Sequence, residues 1–468
     1  MGVRTSHYPG QHHIPGRNQY IKKYMGITEC CVHNIITRTE AMNKENVTSF
    51  VHSHQHVTAL CVIILLTVFA FLPTFWNEFQ MEWDDQWMVM NSQTVGHPNR
   101  YLLQSMFTNP SHGQIAPINQ MMYTFIYFCF GFNPLAFHCA SLVLHMINVT
   151  LLYCGLNMIL SDCISLPIRR IKWITFITAT LFAVHPLQVE SVAWISASKI
   201  LLSTAFYFAG TIMLIQYLRK NNILCYVGAL LMQTMAYLSK EQTVVFPLLV
   251  TLIYLWYKQS PRDKKFWIQL FPFYLLCIVT VIHEVFYVSG YNHIVQGETY
   301  VWWQRIVFCV YSIFTYLFKW IIPINLNWMY LFPVGLNEEL PWWLILYPIL
   351  AAFLVYSFWG WIKKPLVLST LAFFVIHLLL VIHITVLPRA SVIADRYMYI
   401  SIVSLNFILA YYVSMIKEII KNKKISFGIM SLIVAILVVL SFSRTMDWKD
   451  SDTLRSTESI VYPIIFRK

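Results

Sequence analysis

Apolar runs separated by short polar segments recur along almost the whole chain after residue 56. A helix needs about 20 mostly apolar residues to cross a hydrocarbon core of about 30 Å, and its backbone groups must be hydrogen-bonded within the segment. The short alternating segments of a membrane barrel are absent. The pattern predicts an all-α polytopic membrane protein with about 11 transmembrane helices, at 57–75, 134–160, 172–186, 198–218, 223–238, 243–258, 266–288, 342–362, 366–387, 397–416 and 425–443.

The composition agrees with this pattern. Of 468 residues, 57% are hydrophobic and 12% are charged, whereas a soluble domain has about 25% charged residues. The net charge of +12 does not indicate nucleic-acid binding, because Lys and Arg lie in short clusters between apolar runs and not on a basic face interleaved with aromatic residues. We expect membrane lipids, and no nucleic acid, among the partners.

The basic clusters predict how the helices are oriented. Cytoplasmic loops of membrane proteins carry an excess of Lys and Arg. With eleven spans, five basic clusters fall on one side, which we assign to the cytoplasm: residues 169–172, 219–220, 258–265, 363–364 and 417–424. The opposite, outer side receives an acidic loop at 76–133, together with Glu298, Glu338 and Glu339.

Residues 305–322 are apolar but do not fit this alternation. Counting them as a crossing would place Lys363 and Lys364 outside. We therefore predict a half-embedded or re-entrant element that carries Lys319.

The polar segments divide the chain into three parts. Residues 1–56 form a polar N-terminal tail that we expect to be disordered, in which Met42 offers an alternative start. Residues 57–443 form the membrane domain. Its first outer loop, 76–133, combines proline and aromatic residues in a way that suits short helices lying in the membrane interface. Residues 444–468 are predicted to be a short outer tail.

The most distinctive polar sequence is the tetrad Glu82-Trp83-Asp84-Asp85, just past the first predicted span. Adjacent residues point in different directions, so one aspartate is able to face a reacting hydroxyl while the other binds a cation or caps a helix. Neighbouring tryptophans partly exclude water, which raises a carboxyl pKa and makes it a better base. The alternative is a solvated loop beside an interfacial tryptophan belt.

Three histidines form a second group. His138 and His145 are seven residues apart and share one face of the second span, and His185 ends the third. They are candidates for a polar stripe that lines a cavity. Histidines satisfied by hydrogen bonds between helices are at least an equal alternative.

Basic residues at outer membrane depth form the third group. The positive-inside rule puts them on the unusual side, so a specific ligand is expected to retain them. A lipid phosphate suits this role, because Arg forms paired hydrogen bonds to it and Lys acts as a point charge. The alternatives are a pair between Lys240 and an acid such as Glu241, and snorkelling for the others. The candidates are Lys199, Lys240, Arg389 and Arg396, the last of which follows Asp395.

Several motifs in sequence order resemble one family. They are Glu82 to Asp85, Gly131-Phe132-Asn133-Pro134 with His138 and His145, His185 to Trp194 with Lys199, Leu238-Ser239-Lys240-Glu241, and Ala394 to Ile400. Between about 60 and 455 the chain resembles the membrane part of the transmembrane and tetratricopeptide repeat-containing O-mannosyltransferases and their bacterial relatives. That family is similar to the C-type glycosyltransferase superfamily, which uses polyprenyl-phosphate sugars on the outer or luminal face of a membrane.

The resemblance implies roles for several residues. Asp84 and Asp85 take the catalytic acidic motif, and Lys199 and Arg396 are the main phosphate-binding candidates, with Arg389 and Lys240. We assign supporting positions to His138, His145, His185, Glu190, Glu241 and Asp395, and also to Glu82, which the resemblance does not single out. The chain departs from the family at Ile200 and Ala116, and the tetratricopeptide repeats are missing, although residues 448–454 look like the segment that normally precedes them.

These features predict a membrane glycosyltransferase that moves a monosaccharide from a polyprenyl-phosphate carrier to a hydroxyl of a protein or glycan acceptor, with protein O-mannosylation as one form of this reaction. The alternatives are a transporter or flippase for a lipid-linked sugar, and transfer to a lipid or surface glycan. A divalent cation held by the paired acids is one possible cofactor, but Asp84 and Asp85 alone are too few oxygen ligands to argue for it, and we name no certain cofactor. We expect a bacterial cytoplasmic membrane, or the endoplasmic reticulum membrane in a eukaryote.

Overall fold

The computed structural model describes residues 55–92, 94–108, 115–291, 300–335, 338–383, 391–419 and 423–461, so most of the predicted N-terminal tail lies outside the described residues. By its internal contacts the chain divides into Met1–Cys61 and Val62–Lys468. The described part is almost entirely helical. Its helices are α1 Gln55–Ala70, α2 Arg100–Thr108, α3 Pro117–Phe130, α4 Pro134–Cys163, α5 Ile168–Val184, α6 Val189–Ala193, α7 Ser198–Lys220, α8 Ile223–Tyr237, α9 Phe246–Trp256, α10 Lys264–Tyr291, α11 Trp302–Ile321, α12 Trp342–Ser357, α13 Trp359–Ile362, α14 Pro365–Leu378, α15 Met398–Ile419, α16 Lys423–Asp447 and α17 Ser451–Val461.

The apolar helices match the predicted spans in position. Among the described residues, five helical segments are long and apolar enough to cross a membrane, and a sixth crossing forms if α5 is counted with the bent continuation Pro186–Ala193. Five shorter apolar helices lie at the other predicted spans. The protein is an all-α polytopic membrane protein, as the sequence predicts.

Polar residues between the helices set where each one ends. Asn133 accepts a hydrogen bond from the backbone N–H of Leu135 at the start of α4, 3.1 Å away. Asn222 caps α8 in the same way through Leu224, at 2.9 Å. Asn221 takes a left-handed conformation with φ of 50°, which ends α7 and reverses the chain. The short α7–α8 connection makes these two helices antiparallel neighbours.

The residues assigned to the cytoplasmic side come together at one end of the helices. At the ends of α7 and α4, Arg219 forms an ion pair with Asp162 at 2.6 Å. At the start of α5, the Arg170 side chain donates to the hydroxyl of Ser414 in α15, 3.0 Å away. These contacts agree with the alternating topology that the basic clusters predict.

Helix α11 contains the segment predicted to be half-embedded, and it is one unbroken helix. In its first turn, the side chain of Gln304 donates to the carbonyl of Glu338 at 3.0 Å. In its last turn, Lys319 donates to the carbonyl of Asn325 at 2.8 Å. The chain just after α11 pairs with the segment before α15 in a two-stranded antiparallel sheet, β1 Tyr330–Leu331 and β2 Ser391–Ile393.

The chain after the last span packs on the first outer loop. The backbone N–H of Glu78 donates to the carbonyl of Lys449 at 2.7 Å, and the side chain of Asn77 donates to the carbonyl of Thr445 at 3.2 Å. Trp448 is only 1% exposed. The region predicted to be a tail thus includes the end of α16 and the whole of α17, and its first part belongs to the folded protein.

Candidate active site

Asp85 is enclosed in the protein and holds the acidic loop in place. One carboxylate oxygen accepts from the backbone N–H of Gln80 at 2.9 Å. The other accepts from the backbone N–H and the hydroxyl of Ser196, at 2.8 and 2.5 Å, in the turn that leads into α7. Burial raises the pKa of Asp85 from 3.8 to about 6, and the hydrogen bonds from Ser196 and Gln80 oppose this rise. Asp85 therefore ties the loop to the start of α7.

Asp84 has a different environment from its neighbour. It is half-buried and lines a cavity of about 260 Å³, and its carboxylate accepts no hydrogen bond from the described residues. The two adjacent acids thus have different surroundings, and Asp85 takes neither of the roles, cation binding or helix capping, suggested from the sequence for the second acid. One faces into the protein, and the other faces a space that a ligand can enter.

Arg396 lies on the same cavity as Asp84. Its guanidinium pairs with the buried carboxylate of Glu190, and its backbone N–H donates to the other oxygen of that carboxylate at 2.8 Å. The guanidinium also lies over the ring of Trp194, 5.2 Å from the ring centroid, and over Tyr397 at 4.9 Å. Glu190 and the two aromatic rings therefore fix the position of the cation and leave its outer edge, with 24% of the side chain exposed, toward the cavity.

Tryptophans form much of the remaining wall of this cavity. Two come from the regions already described, Trp83 from the acidic loop and Trp194 from the end of α6, and two come from later in the chain, Trp328 and Trp448. The rings of Trp83 and Trp328 are in contact, with centroids 3.7 Å apart. Trp194 and Trp448 are stacked, with centroids 5.8 Å apart.

The other predicted cations occupy positions beside the cavity or outside the described residues. Lys199 is buried at the start of α7, with its ammonium 3.4 Å from the sulfur of Met88. Lys240 forms an ion pair with Glu241 at 2.6 Å, which is the alternative considered for it from the sequence. Arg389 lies outside the described residues.

The histidines make contacts between helices. One ring nitrogen of His145 lies 2.7 Å from the hydroxyl of Tyr399, and the other lies 3.1 Å from the carbonyl of Ala183. His185 contacts the carbonyl of Trp320 at 3.0 Å. His138 is buried in α4. His145 and His185 thus make the polar contacts between helices that the alternative interpretation of the sequence describes.

Asp395 and Glu82 contact residues around the site. Tyr330 donates to the buried carboxylate of Asp395 at 2.8 Å, which connects β1 to the start of α15. Glu82 is exposed and forms an ion pair with Arg455 of α17. Neither residue lines the cavity that Asp84 and Arg396 share.

The acidic pair does not fit a divalent cation. Both oxygens of Asp85 already accept hydrogen bonds from protein donors, which leaves Asp84 as the single acid among the described residues that line the cavity. In the described ranges, no group of three or more His, Cys, Asp or Glu side chains is arranged to hold a metal ion. We assign no step to a metal.

Comparison with known proteins supports the resemblance found in the sequence. No family model matches the chain. Over 121 residues it is 30% identical to the human protein O-mannosyl-transferase TMTC1, an alignment that covers 24% of this chain and 13% of the human protein. The resemblance to this family is confirmed over that stretch. The mouse protein of the same name is 28% identical over 121 residues, which cover 24% of this chain and 12% of the mouse protein.

Two crystal structures of the Archaeoglobus fulgidus oligosaccharyltransferase are also similar. The form tethered to an acceptor peptide with an NVT sequon aligns with a TM-score of 0.43 at 13% identity, over 85% of this chain and 56% of that chain. The apo form aligns with a TM-score of 0.41 at 12% identity, over 84% of this chain and 56% of that chain.

Part of the site was not identified from the sequence. Ser196, which binds Asp85, and Trp194 lie in or next to a motif that carries the resemblance to the O-mannosyltransferases, so that motif was the available signal. Trp448 lies in the segment that resembles the one before the repeats. Trp328 follows α11 in a loop without a motif, and no feature of the sequence connects it to the acidic loop.

Proposed function

We propose that this protein is a membrane glycosyltransferase that moves a monosaccharide from a polyprenyl-phosphate carrier to an acceptor hydroxyl on the outer or luminal face. The observation that carries the proposal is that Asp84 and Arg396 line one cavity. A carboxylate suits the removal of a proton from a hydroxyl, and a guanidinium suits the phosphate that leaves. Transfer between a phosphate and a hydroxyl needs both groups near one reacting carbon.

The reaction we propose is a single displacement. The acceptor oxygen forms a bond to the anomeric carbon while the bond from that carbon to the phosphate oxygen breaks. The hydroxyl proton goes to Asp84, and the phosphate leaves as polyprenyl phosphate with its charge stabilised by Arg396. Lys199 is buried at the start of α7, close enough to Asp84 and Arg396 to interact electrostatically with both. One displacement inverts the configuration of the anomeric carbon.

In this proposal Asp85 is a positioning residue. Its oxygens accept hydrogen bonds from Gln80 and Ser196, so they are not directed at a substrate hydroxyl. It keeps the loop against the start of α7, and Asp84, one residue earlier, is held at the cavity. Glu190 is likewise a positioning residue for Arg396, because its carboxylate binds both the guanidinium and the backbone N–H of Arg396.

Protein O-mannosylation is the form of this reaction that we favour. The relatives that the chain resembles are named as protein O-mannosyl-transferases, and the alignment spans about an eighth of their length. By this proposal the donor carries mannose and the acceptor is a Ser or Thr hydroxyl of a protein that reaches the outer or luminal face. A glycan in the membrane extract is the competing acceptor in the test.

The experiment measures transfer of radiolabelled mannose from polyprenyl-phosphate mannose to a membrane extract by the purified protein. Asp84→Asn is expected to lower the transfer rate about 10²- to 10⁴-fold, which is the usual contribution of a general base. Asp263→Asn, at the cytoplasmic side, is the matched control and should retain the rate. Full transfer by a folded Asp84→Asn variant would show that Asp84 is not the base. Label that crosses vesicle membranes without covalent transfer would show that the protein is a transporter.

A further inference from the structure

Another cavity lies among five helices and shares no lining residue with the cavity of Asp84. Its volume is about 140 Å³, and residues of α4, α7, α9, α14 and α15 line it. The cavity is partly open to the surface of the helices. Its side chains are mostly aliphatic or aromatic, among them Leu156, Phe208, Phe373 and Phe407. Such walls favour an apolar occupant, because apolar surface is stabilised by contact with other apolar groups.

The hydroxyl groups in the lining do not change this character. Each donates a hydrogen bond to a backbone carbonyl three or four residues earlier in its own helix, at 2.6–2.8 Å, and the four residues are Thr211, Ser369, Thr370 and Ser404. These donors are therefore already used. A buried water needs about two to four polar partners, and an apolar cavity without them stays dry. A hydrocarbon chain fills this space better than water does.

The cavity lies in the half of the helices assigned to the cytoplasmic side. Trp256, which ends α9, is one of its lining residues. Ser369 lines it one turn after Pro365, where α14 begins. In α4 the lining continues to Leu160, two residues before Asp162. A chain that enters this cavity therefore comes from the cytoplasmic leaflet of the membrane.

Two lysines lie at the same end of these helices. Lys258 follows Trp256 by two residues, and Lys364 immediately precedes α14. Both are exposed, and neither forms an ion pair within the described part of the chain. The N-terminus of α14 adds partial positive charge beside Lys364. Arg219 at this end is instead paired with Asp162. The lysines are therefore the cations that suit an anionic group at the mouth of the cavity.

We propose that this cavity binds an acyl chain of an anionic phospholipid from the cytoplasmic leaflet, with the lipid phosphate at Lys258 and Lys364. The apolar walls contact the chain, and the two ammonium groups attract the phosphate at the membrane surface. Bound in this way, the lipid packs α9 and α14 against α4, α7 and α15. The proposed transfer uses Asp84 and Arg396 in a different cavity, so this inference does not depend on that reaction.

Native mass spectrometry of the detergent-purified, delipidated protein tests the phosphate site. The probes are dioleoyl phosphatidylglycerol, which is anionic, and dioleoyl phosphatidylcholine, which has the same chains and no net charge. The wild type is expected to bind phosphatidylglycerol more tightly. Lys258→Gln and Lys364→Gln should each lower this preference about fivefold, as expected for the loss of one basic residue near an anionic lipid.

Lys265→Gln is the matched control. Lys265 is exposed on the same side, but it belongs to α10, which contributes no lining residue to the cavity. This variant should keep the full preference. If all three variants lose the preference equally, the lipid is attracted by the basic surface as a whole and the specific site is wrong. If neither Lys258→Gln nor Lys364→Gln loses it, the phosphate site is also wrong.

A second experiment locates the acyl chain. Phosphatidylglycerol that carries a photoreactive diazirine in its acyl chain should label lining residues such as Leu156, Phe373 and Phe407, identified by peptide mass spectrometry. Ser404→Leu places a larger side chain at the cavity and should remove most of this labelling. The labelling pattern of the wild type tests the location even if Ser404→Leu does not fold.

The labelling also distinguishes the occupants. Labelling confined to residues outside the lining would overturn the inference. Displacement of the probe by polyprenyl phosphate, but not by unlabelled phosphatidylglycerol, would overturn it as well, because the carrier chain would then be the occupant. A protein that gives the expected labelling but transfers no sugar would contradict the proposed function and support this inference.

Discussion

The side chain of Gln80 donates a hydrogen bond to the backbone carbonyl of Trp448 across 2.8 Å, between residues 368 positions apart in the sequence. The same glutamine also donates its backbone N–H to the carboxylate of Asp85. Gln80 thus connects the chain after the last span to the residue that holds the acidic loop. The two ends of the membrane domain meet at this contact, next to the candidate base Asp84.

Replacing Gln80 tests whether this contact sets the position of Asp84. Gln80→Leu keeps the approximate size of the side chain but removes its donor, which leaves a carbonyl unpaired at a cost of about 1–3 kcal/mol. We expect the transfer rate to fall about tenfold, because a small displacement of a reacting group has a large effect on rate. The matched variant Gln104→Leu, at an exposed position of the same loop, should transfer at the wild-type rate. Equal rates for the two variants would contradict the positioning role.

The raised pKa of Asp85 predicts how stability depends on pH. The carboxyl titrates at about 6 in the folded protein and at 3.8 when unperturbed, so between these values the folded state binds more protons than the unfolded state. The contribution of Asp85 to the free energy of unfolding therefore decreases as pH rises from about 4 to about 6, by up to about 3 kcal/mol, and is level outside this window.

Thermal unfolding in detergent, followed at several pH values, measures this effect. Asp85→Asn cannot titrate, so the difference in melting temperature between wild type and Asp85→Asn isolates the group. The wild type should lose stability relative to the variant as pH rises through the window. A difference that stays constant from pH 4 to pH 7 would show that Asp85 titrates in the same way in both states.

The positions of the membrane helices were predictable from the sequence because a span is a local property. Its length and apolar character are visible in one window, and the prediction at 198–218 coincides with Ser198–Lys220. The separate roles of Asp84 and Asp85 were not predictable. Which of two adjacent acids turns inward depends on donors at Ser196, more than a hundred residues away, and no local pattern records that contact.

Of the two ion pairs at the site, one could be predicted from the sequence. Glu190 and Arg396 each lie in a motif that carries the family resemblance, but their ion pair is formed only when α6 packs against the turn before α15. For Lys240 the partner is the next residue, Glu241, and the sequence alone was enough to suggest it. An ion pair between adjacent residues can therefore be predicted from the sequence. The pair between Glu190 and Arg396, which positions the candidate phosphate ligand, becomes apparent only in the folded structure.

These two ion pairs predict different stability effects. Glu190 is 1% exposed, so Glu190→Gln leaves the Arg396 charge without its buried partner and is expected to destabilise the protein by about 3–5 kcal/mol. Glu241 is 41% exposed, and Glu241→Gln should cost less than about 1 kcal/mol. The melting temperatures of the two variants show which substitution destabilises the protein more. If Glu241→Gln proves the more destabilising, the buried pair does not stabilise the site.

The contacts of α11 predict that it does not cross the membrane. Its first turn contacts Glu338, which is assigned to the outer side, and near its other end the carbonyl of Trp320 lies 3.0 Å from His185, at the outer end of the third predicted span. A helix with both ends on one side lies along the membrane or the outer loops, and the following helix α12 then runs inward to Lys364.

Fusions to alkaline phosphatase, an enzyme that is active only outside the cytoplasm, test this topology. Fusions after Val301 and after Pro323 should both be active, because they flank α11 on the same side. A fusion after Lys364 should be inactive, like a control fusion after Lys220 at the end of α7. An active fusion after Lys364 together with an inactive one after Pro323 would show that α11 spans the membrane, since one extra crossing reverses the side of every later loop.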